Sequence, residues 1–114
     1  MTIRPIEKFS ILLHKYDVFI MDVFGVLHNG ESASPQALDI LKHLSAAEKN
    51  VYFLSNAPQR SNYVIDRLEK FGFKRSLYQH ILTAGEQVHT HLKKRNNTWH
   101  ARLGKNCYFI GDKY

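Results

Sequence analysis

The decisive stretch of this sequence is VFIMDVFGVLHNG, residues 18–30. Its first four residues are an uninterrupted apolar run rich in β-forming side chains, and Asp22, Gly25 and Gly30 then end the run and favour turns. Such a run is typical of a strand that is buried in a parallel sheet. We therefore expect the carboxylate of Asp22 to stand at the end of a buried strand.

Helical and strand-like segments alternate along the rest of the chain. Ser34 and Pro35 have the pattern of an N-cap and a first-turn proline, and Thr83 and Glu86 have the spacing of a capping box. The predicted helices begin near residue 5, at residue 35, at residue 61 and after residue 83, and the predicted strands cover 18–21, 51–54, 80–82 and, as a strand-like run, 107–110. Such alternation implies right-handed crossovers. The predicted fold class is α/β, with three or four parallel strands flanked by helices.

The composition is that of one small globular domain. The chain has 114 residues, 44% of them hydrophobic, which is too short for two complete domains. A single cysteine, Cys107, excludes an intramolecular disulfide and a multi-cysteine zinc site, which favours a reducing compartment. We read no targeting or membrane segment in the sequence. The expected location is therefore the cytoplasm, with no membrane partner.

Positive charge is concentrated in the second half of the chain. The formal net charge is +6, and residues 58–114 carry eleven Lys and Arg against four Asp and Glu, whereas residues 1–57 carry five against six. This charge suggests one function, which we keep as the alternative to the catalytic one argued below. It is that of a non-catalytic basic α/β module that binds an anionic partner or nucleic acid through Lys93, Lys94, Arg95, Arg102 and Lys105. Acidic residues interrupt the positive ones in this half, so a solvated basic face is favoured and nucleic acid is not the expected partner.

Polar residues that could carry chemistry follow two of the predicted strands. Asp22 can attack a phosphoryl group or bind a hard divalent cation, and its alternative role is to cap the strand-to-loop turn. Ser55 and Asn56 offer a hydroxyl and an amide to phosphate oxygens, and their alternative role is a helix-capping turn. Because the carboxyl ends of parallel strands share one crevice, we take these three residues as the candidate site.

The histidines do not predict a metal site. His89 and His91 are two residues apart on a predicted helix, so their side chains point away from each other. His28 lies in the loop after Asp22, but no second residue in the sequence identifies it as a base. A loop hydrogen bond is the favoured role for His28.

Two motifs, taken together, resemble the haloacid dehalogenase superfamily of phosphohydrolases. They are DVFGVLHNG, residues 22–30, and LSNAP, residues 54–58, each at the end of a predicted strand. The segment ILTAGE, residues 81–86, is similar to the third core strand and following helix of the class IIA branch, which carries an α/β cap. The resemblance covers most of the chain.

The resemblance implies a Mg²⁺-dependent phosphatase that acts on a small phosphorylated substrate. Asp22 would attack phosphorus and form an aspartyl-phosphate. The Asp22 carboxylate and the backbone carbonyl of Phe24 would bind the metal, and Ser55 and Asn56 would hold the transferring phosphoryl group.

The sequence departs from the pattern of the family in two ways. Phe24 stands where most of these phosphatases have a second Asp, which protonates the leaving group, so slow turnover is expected. The third and fourth motifs, a Lys and an acidic pair, are expected beyond residue 114. We therefore interpret residues 1–95 as the N-terminal half of a Rossmann-like core and residues 96–114 as a linker and the start of a cap-entry strand. Such a truncated piece is expected to be inactive or weakly active alone.

A partial core also has physical consequences. The strand at residues 18–21 would present an unpaired edge and an uncovered apolar face, so self-association through the exposed sheet edge is expected. Asp22 and one carbonyl are few protein ligands for a cation, so Mg²⁺ is expected to bind weakly.

Overall fold

A computed structural model describes residues 5–96 and 99–111 of the chain. The helices and strands are α1 (Ser10–Leu13), β1 (Val18–Asp22), α2 (Pro35–Ala46), β2 (Asn50–Ser55), α3 (Ser61–Lys70), β3 (His80–Thr83) and α4 (Ala84–Lys94). Two 3₁₀ turns cover Arg75–Leu77 and Trp99–Arg102. Within the described ranges, no helix has the length and apolar character needed to cross a bilayer.

The three strands form one parallel sheet in the order β1-β2-β3. In the register of this sheet, Asp22 is opposite Leu54 and Ser55 is opposite Thr83. Because each pair of successive strands is parallel, the chain must cross back between them, and α2 and α3 lie in these two crossovers. The predicted α/β class with parallel strands flanked by helices is therefore confirmed.

The strand predicted at residues 107–110 is wrong. This segment has no regular secondary structure, and Tyr108 and Ile110 are 91% and 88% exposed. An apolar run becomes a strand only where a neighbouring strand pairs with its backbone, and none of the described strands lies beside this segment.

One face of the sheet carries the hydrophobic core. Phe19, Val51, Phe53 and Ile81 alternate with exposed residues along the three strands and point toward this face. The helices contribute fully buried side chains to the same core, namely Leu41 and Leu44 from α2 and Leu68 from α3.

The other face of the sheet is open. Ile20 is 70% exposed, and Val18, Tyr52, Leu54 and Leu82 on the same face are also exposed. β1 is an edge strand of this sheet, because it pairs only with β2 among the described strands. The apolar face and the free edge therefore meet at β1.

The helix boundaries follow the sequence signals closely. The Ser34 hydroxyl accepts a hydrogen bond from Ala37 N at 3.3 Å, which caps α2 where the sequence predicts. α3 ends at Lys70, and Gly72 adopts a positive φ of 89° just beyond it. The first helix is shorter than predicted, since it begins at Ser10 and not near residue 5, but Phe9 beside it packs on Phe19 with ring centroids 5.6 Å apart.

Candidate active site

The candidate site lies at the carboxyl end of the sheet. β1 ends at Asp22 and β2 ends at Ser55, with Asn56 following directly. These strands are neighbours, and Asp22 lies opposite Leu54, the residue before Ser55. The two polar ends predicted from the sequence are therefore adjacent in the sheet.

Asp22 points to the open face. Its side chain is exposed, and Asp22 lines a shallow cleft together with Ile20, Leu54 and Asn56. One carboxylate oxygen, Oδ1, accepts a hydrogen bond from Val23 N at 2.8 Å. The other oxygen, Oδ2, has no hydrogen bond with any residue that the structure describes. The carboxylate is thus held by its own loop and keeps one oxygen available.

Ser55 points to the opposite face. It is 6% exposed, and its hydroxyl accepts a hydrogen bond from Ala57 N at 3.2 Å. Side chains alternate along a strand, so Ser55 cannot share the face of its neighbour Leu54. The local hydrogen bond is of the turn-forming kind that the sequence left open as the alternative for this residue.

Asn56 connects the two sides of the site. It lines the shallow cleft with Asp22, and it also lines a larger cleft with Ser55. The structure therefore brings Asp22 and Asn56 together, and Ser55 and Asn56 together, while Asp22 and Ser55 face different clefts.

The larger cleft has a volume of about 760 Å³. Its wall includes three aromatic side chains that are well exposed, Phe24, Tyr63 and Phe109. Two arginines also line it, but both have partners. Arg60 pairs with Glu86, and Arg67 Nη2 donates to the Gly30 carbonyl at 2.9 Å. The cleft thus combines an aromatic wall with polar groups near Ser55 and Asn56.

The loop after Asp22 is folded around His28. Gly25, with φ of 80°, donates its N–H to the His28 carbonyl at 2.8 Å. The His28 ring lies 5.8 Å from the Phe24 ring and 4.9 Å from the Phe71 ring, measured between centroids. These contacts hold the loop that contains Phe24, whose carbonyl is the second metal ligand implied by the resemblance.

His28 makes the loop hydrogen bond favoured from the sequence. Its Nδ1 accepts a hydrogen bond from Gly30 N at 2.9 Å. Burial, and secondly the positive charge of Arg67, lower the pKa of His28 below its ordinary value. An imidazole that accepts a hydrogen bond at Nδ1 is neutral, so the two observations agree.

Glu86 has a role that the capping-box pattern did not predict. The Thr83 hydroxyl accepts a hydrogen bond from Glu86 N at 3.0 Å, which is one half of the box. The Glu86 carboxylate does not complete the box and instead binds Arg60 and Ser61 N. The hydrogen bond from the Arg60 side chain, and next that from Ser61 N, lower the pKa of Glu86.

One of the five basic residues named for the alternative function, Arg95, has a structural role. The Arg95 guanidinium donates to the carbonyls of Leu92, Leu103 and Gly104 at 3.0, 2.7 and 3.1 Å. Arg95 therefore joins the end of α4 to the segment after the second 3₁₀ turn, and its donors are directed at the chain itself.

Comparisons with known proteins identify relatives of this chain. A family model described as haloacid dehalogenase-like hydrolase matches residues 19–114. A 4-nitrophenylphosphatase from Schizosaccharomyces pombe is 27% identical over 89 residues, which is 77% of this chain and 30% of that protein. A crystal structure of a hydrolase of the haloacid dehalogenase-like family from Brucella suis 1330 matches with a TM-score of 0.72 and 24% identity, over 79% of this chain and 33% of that one. The chain thus spans about a third of the length of these relatives.

Proposed function

This chain belongs to the haloacid dehalogenase-like hydrolase family, and from that premise we propose that it forms the nucleophile-bearing part of a phosphatase. The reaction proposed is hydrolysis of phosphate monoesters through an aspartyl-phosphate on Asp22. Support comes from the family and from the similarity to a protein described as a 4-nitrophenylphosphatase.

The observation that supports the proposal most strongly is the exposure and the hydrogen bonding of the Asp22 carboxylate. It is exposed at the end of a parallel strand, Val23 N fixes its Oδ1, and its Oδ2 has no partner within the described chain. An Asp that only caps the turn would not need to stand beside Asn56 in a cleft on the open face. A fixed carboxylate with one free oxygen is suited to attack an electrophile.

The proposed chemistry has two displacement steps. The free Asp22 oxygen attacks phosphorus, and the bond from phosphorus to the alcohol oxygen breaks with its electron pair leaving on that oxygen. Water then attacks phosphorus, releases phosphate, and restores the carboxylate. Asn56, which lines the same cleft as Asp22, would hold a phosphoryl oxygen through its amide, and Ser55 would join it only if its hydroxyl turned from the larger cleft toward the bound group.

Phe24 limits which esters react quickly. Its side chain has no proton to give, so the leaving oxygen departs as an anion unless water protonates it. The proposed site therefore favours esters of acidic alcohols, such as 4-nitrophenyl phosphate. An aliphatic ester, whose leaving group is strongly basic, would lack the general acid that is typically worth 10²- to 10⁴-fold in rate.

The oxygen donors near Asp22 fit Mg²⁺ in kind. The Asp22 carboxylate and the carbonyl of Phe24 are hard ligands of the type that Mg²⁺ prefers. Residues 5–96 and 99–111 contain no group of three or more His, Cys, Asp or Glu side chains that could hold a metal ion. Mg²⁺ would therefore keep several waters and bind weakly, and when bound it would offset the negative charge of the phosphoryl oxygens.

Hydrolysis of 4-nitrophenyl phosphate tests the proposed nucleophile. We expect slow, Mg²⁺-dependent release of 4-nitrophenol by the parent chain, and loss of that release in Asp22→Asn. Asp66→Asn is the matched control, because Asp66 is an exposed carboxylate on α3 with no hydrogen bond or ion pair to any described residue. Mg²⁺-dependent release that is the same in Asp22→Asn as in the parent would contradict the assignment of Asp22.

A further inference from the structure

The segment after Asn56 is attached to the junction of β3 and α4. Three backbone groups on alternate residues of this segment, the carbonyls of Ala57 and Gln59 and the N–H of Ser61, each have a hydrogen-bond partner at that junction. The junction residues Thr83, Gly85 and Glu86 are far from residue 56 in sequence and come from the third strand and the fourth helix. We call residues 57–61 the linking segment.

Thr83 fixes the middle of the linking segment from the interior. It is 1% exposed, and its hydroxyl donates to the Gln59 carbonyl at 2.7 Å. The same oxygen accepts a hydrogen bond from Glu86 N at 3.0 Å. Removing the hydroxyl would leave the Gln59 carbonyl and the Glu86 N–H without these partners, and such a loss costs more than the hydrogen bond itself is worth.

Glu86 fixes the end of the linking segment from the surface. Its carboxylate accepts from Arg60 Nε at 2.7 Å, from Arg60 Nη2 at 3.0 Å and from Ser61 N at 3.1 Å. The Arg60 side chain makes no capping hydrogen bond to α3, so a residue of a different helix satisfies the first N–H of α3. Bidentate pairing with an arginine also fixes direction, not only distance.

Gly85 shows how closely the two pieces of backbone approach. Its N–H donates to the Ala57 carbonyl at 3.1 Å. A Cβ built on Gly85 would lie 1.9 Å from the Pro58 carbonyl oxygen, so a side chain at this position would displace the linking segment. The start of α4 is therefore in direct backbone contact with the residues that follow Asn56, with no room for a side chain between them.

We infer that Thr83 and Glu86 are positioning residues, which set the location of Ser55 and Asn56 for phosphoryl binding by holding the linking segment. The inference rests on the proposed function, since it gives Ser55 and Asn56 the role of phosphoryl ligands. Ala57 connects Ser55 to the start of α4. Its carbonyl accepts a hydrogen bond from Gly85 N, and its own N–H donates to the Ser55 hydroxyl. Neither Thr83 nor Glu86 lines either cleft, so both act through the segment and not by touching the substrate.

Three substitutions separate positioning from general stability. Thr83→Val removes the hydroxyl while it keeps the shape, Thr83→Ser restores the hydroxyl, and Glu86→Gln weakens the pairing with Arg60 at the surface. The matched controls are Thr90→Val on the same helix as Glu86 and Asp66→Asn on α3. The side chain of neither control residue makes a hydrogen bond within the part of the chain that the structure describes.

The first measurement needs no ligand. Amide hydrogen exchange of residues 55–61 reports how well the linking segment is held. We expect faster exchange in Thr83→Val and Glu86→Gln, exchange like that of the parent in Thr83→Ser, and no change in the two controls.

The second measurement is the affinity for inorganic phosphate in the presence of Mg²⁺, followed by the NMR signals of the Asn56 amide. We expect a loss of about tenfold in Thr83→Val, the size expected for one buried hydrogen bond to a fixed segment, and recovery in Thr83→Ser. If Thr83→Val does not fold, Glu86→Gln decides, because Glu86 acts at the surface.

The inference is overturned if folded Thr83→Val and Glu86→Gln exchange their loop amides and bind phosphate as the parent does. A parent chain that binds no phosphate would instead count against the proposed function. The exchange measurement would then still decide whether these two residues hold the segment.

Discussion

Phe24 illustrates how one side chain can change the chemistry of a site without changing its backbone. Its ring is exposed and contacts His28, while its carbonyl is set by the loop that folds around His28. A substitution of the ring should therefore leave the carbonyl near its present position. The backbone role implied for residue 24 and the absence of an acid there are separable properties.

Phe24→Asp should raise the rate of hydrolysis of an ester with a poor leaving group. A carboxylic acid at this position can protonate the leaving oxygen, and we expect a gain on the order of 10²-fold with phenyl phosphate, the lower end for general acid catalysis. The gain with 4-nitrophenyl phosphate should be much smaller, because its leaving group needs no proton. Steady-state rates with both esters measure the ratio, and Phe24→Leu is the control. Equal gains with the two esters would contradict a general-acid role.

The arrangement of the candidate residues was predicted from the sequence only in part. Asp22 and Ser55 do end two adjacent strands, with Asn56 following Ser55, because an apolar run that stops at a polar residue marks the end of a buried strand. The directions of the side chains were not predictable. Residues 51–54 are apolar at every position, so the run contains no alternation that would show which residue faces the core.

For the helices and strands, capping residues in the sequence were sufficient to predict those helix ends that depend only on nearby residues. The cap at Ser34 and the glycine after α3 determine helix ends by contacts within a few residues, and both are found as predicted. The strand predicted at residues 107–110 and the second half of the capping box failed because each depends on a distant partner. The first needs a neighbouring strand, and the second competes with Arg60 for the Glu86 carboxylate.

The Glu86 pairing predicts a stability that depends on pH. The pKa of Glu86 is lowered in the folded chain from an ordinary value of 4.5, first by the Arg60 hydrogen bond. The pairing therefore stabilises the fold fully above about pH 4.5 and loses its effect as the pH falls further, because the unfolded chain then takes up a proton first. Urea unfolding between pH 6 and pH 3 should show a smaller decrease in Glu86→Gln than in the parent or in Asp66→Asn. A decrease of the same size in all three would exclude the pairing as its source.

In the molecule as a whole, the open face of the sheet leaves apolar side chains uncovered. Ile20, Tyr52 and Leu54 expose apolar surface next to the free edge of β1. An edge strand with unpaired backbone groups and an adjoining apolar face is a template for pairing with another chain. We therefore propose that the isolated chain associates with a second copy of itself through this surface.

Sedimentation velocity over a range of concentrations tests this association. The average mass of the parent should increase with concentration, and Ile20→Lys should stay monomeric, because a charge on an edge strand opposes pairing. Ile11→Lys is the matched control, since Ile11 is an exposed apolar residue that belongs to α1 and not to the open face of the sheet. A parent that stays monomeric throughout would show that the open face is not a self-association surface.

The proposed function depends on covalent phosphorylation of Asp22. This step is observed by mixing the chain with 4-nitrophenyl phosphate and Mg²⁺, quenching the reaction in acid, and locating any phosphoryl group by peptide mass spectrometry. We expect a phosphoryl group on the peptide that contains Asp22, and none in Asp22→Asn. A phosphoryl group on a different residue, or release of 4-nitrophenol that continues undiminished in Asp22→Asn, would show that Asp22 is not the nucleophile.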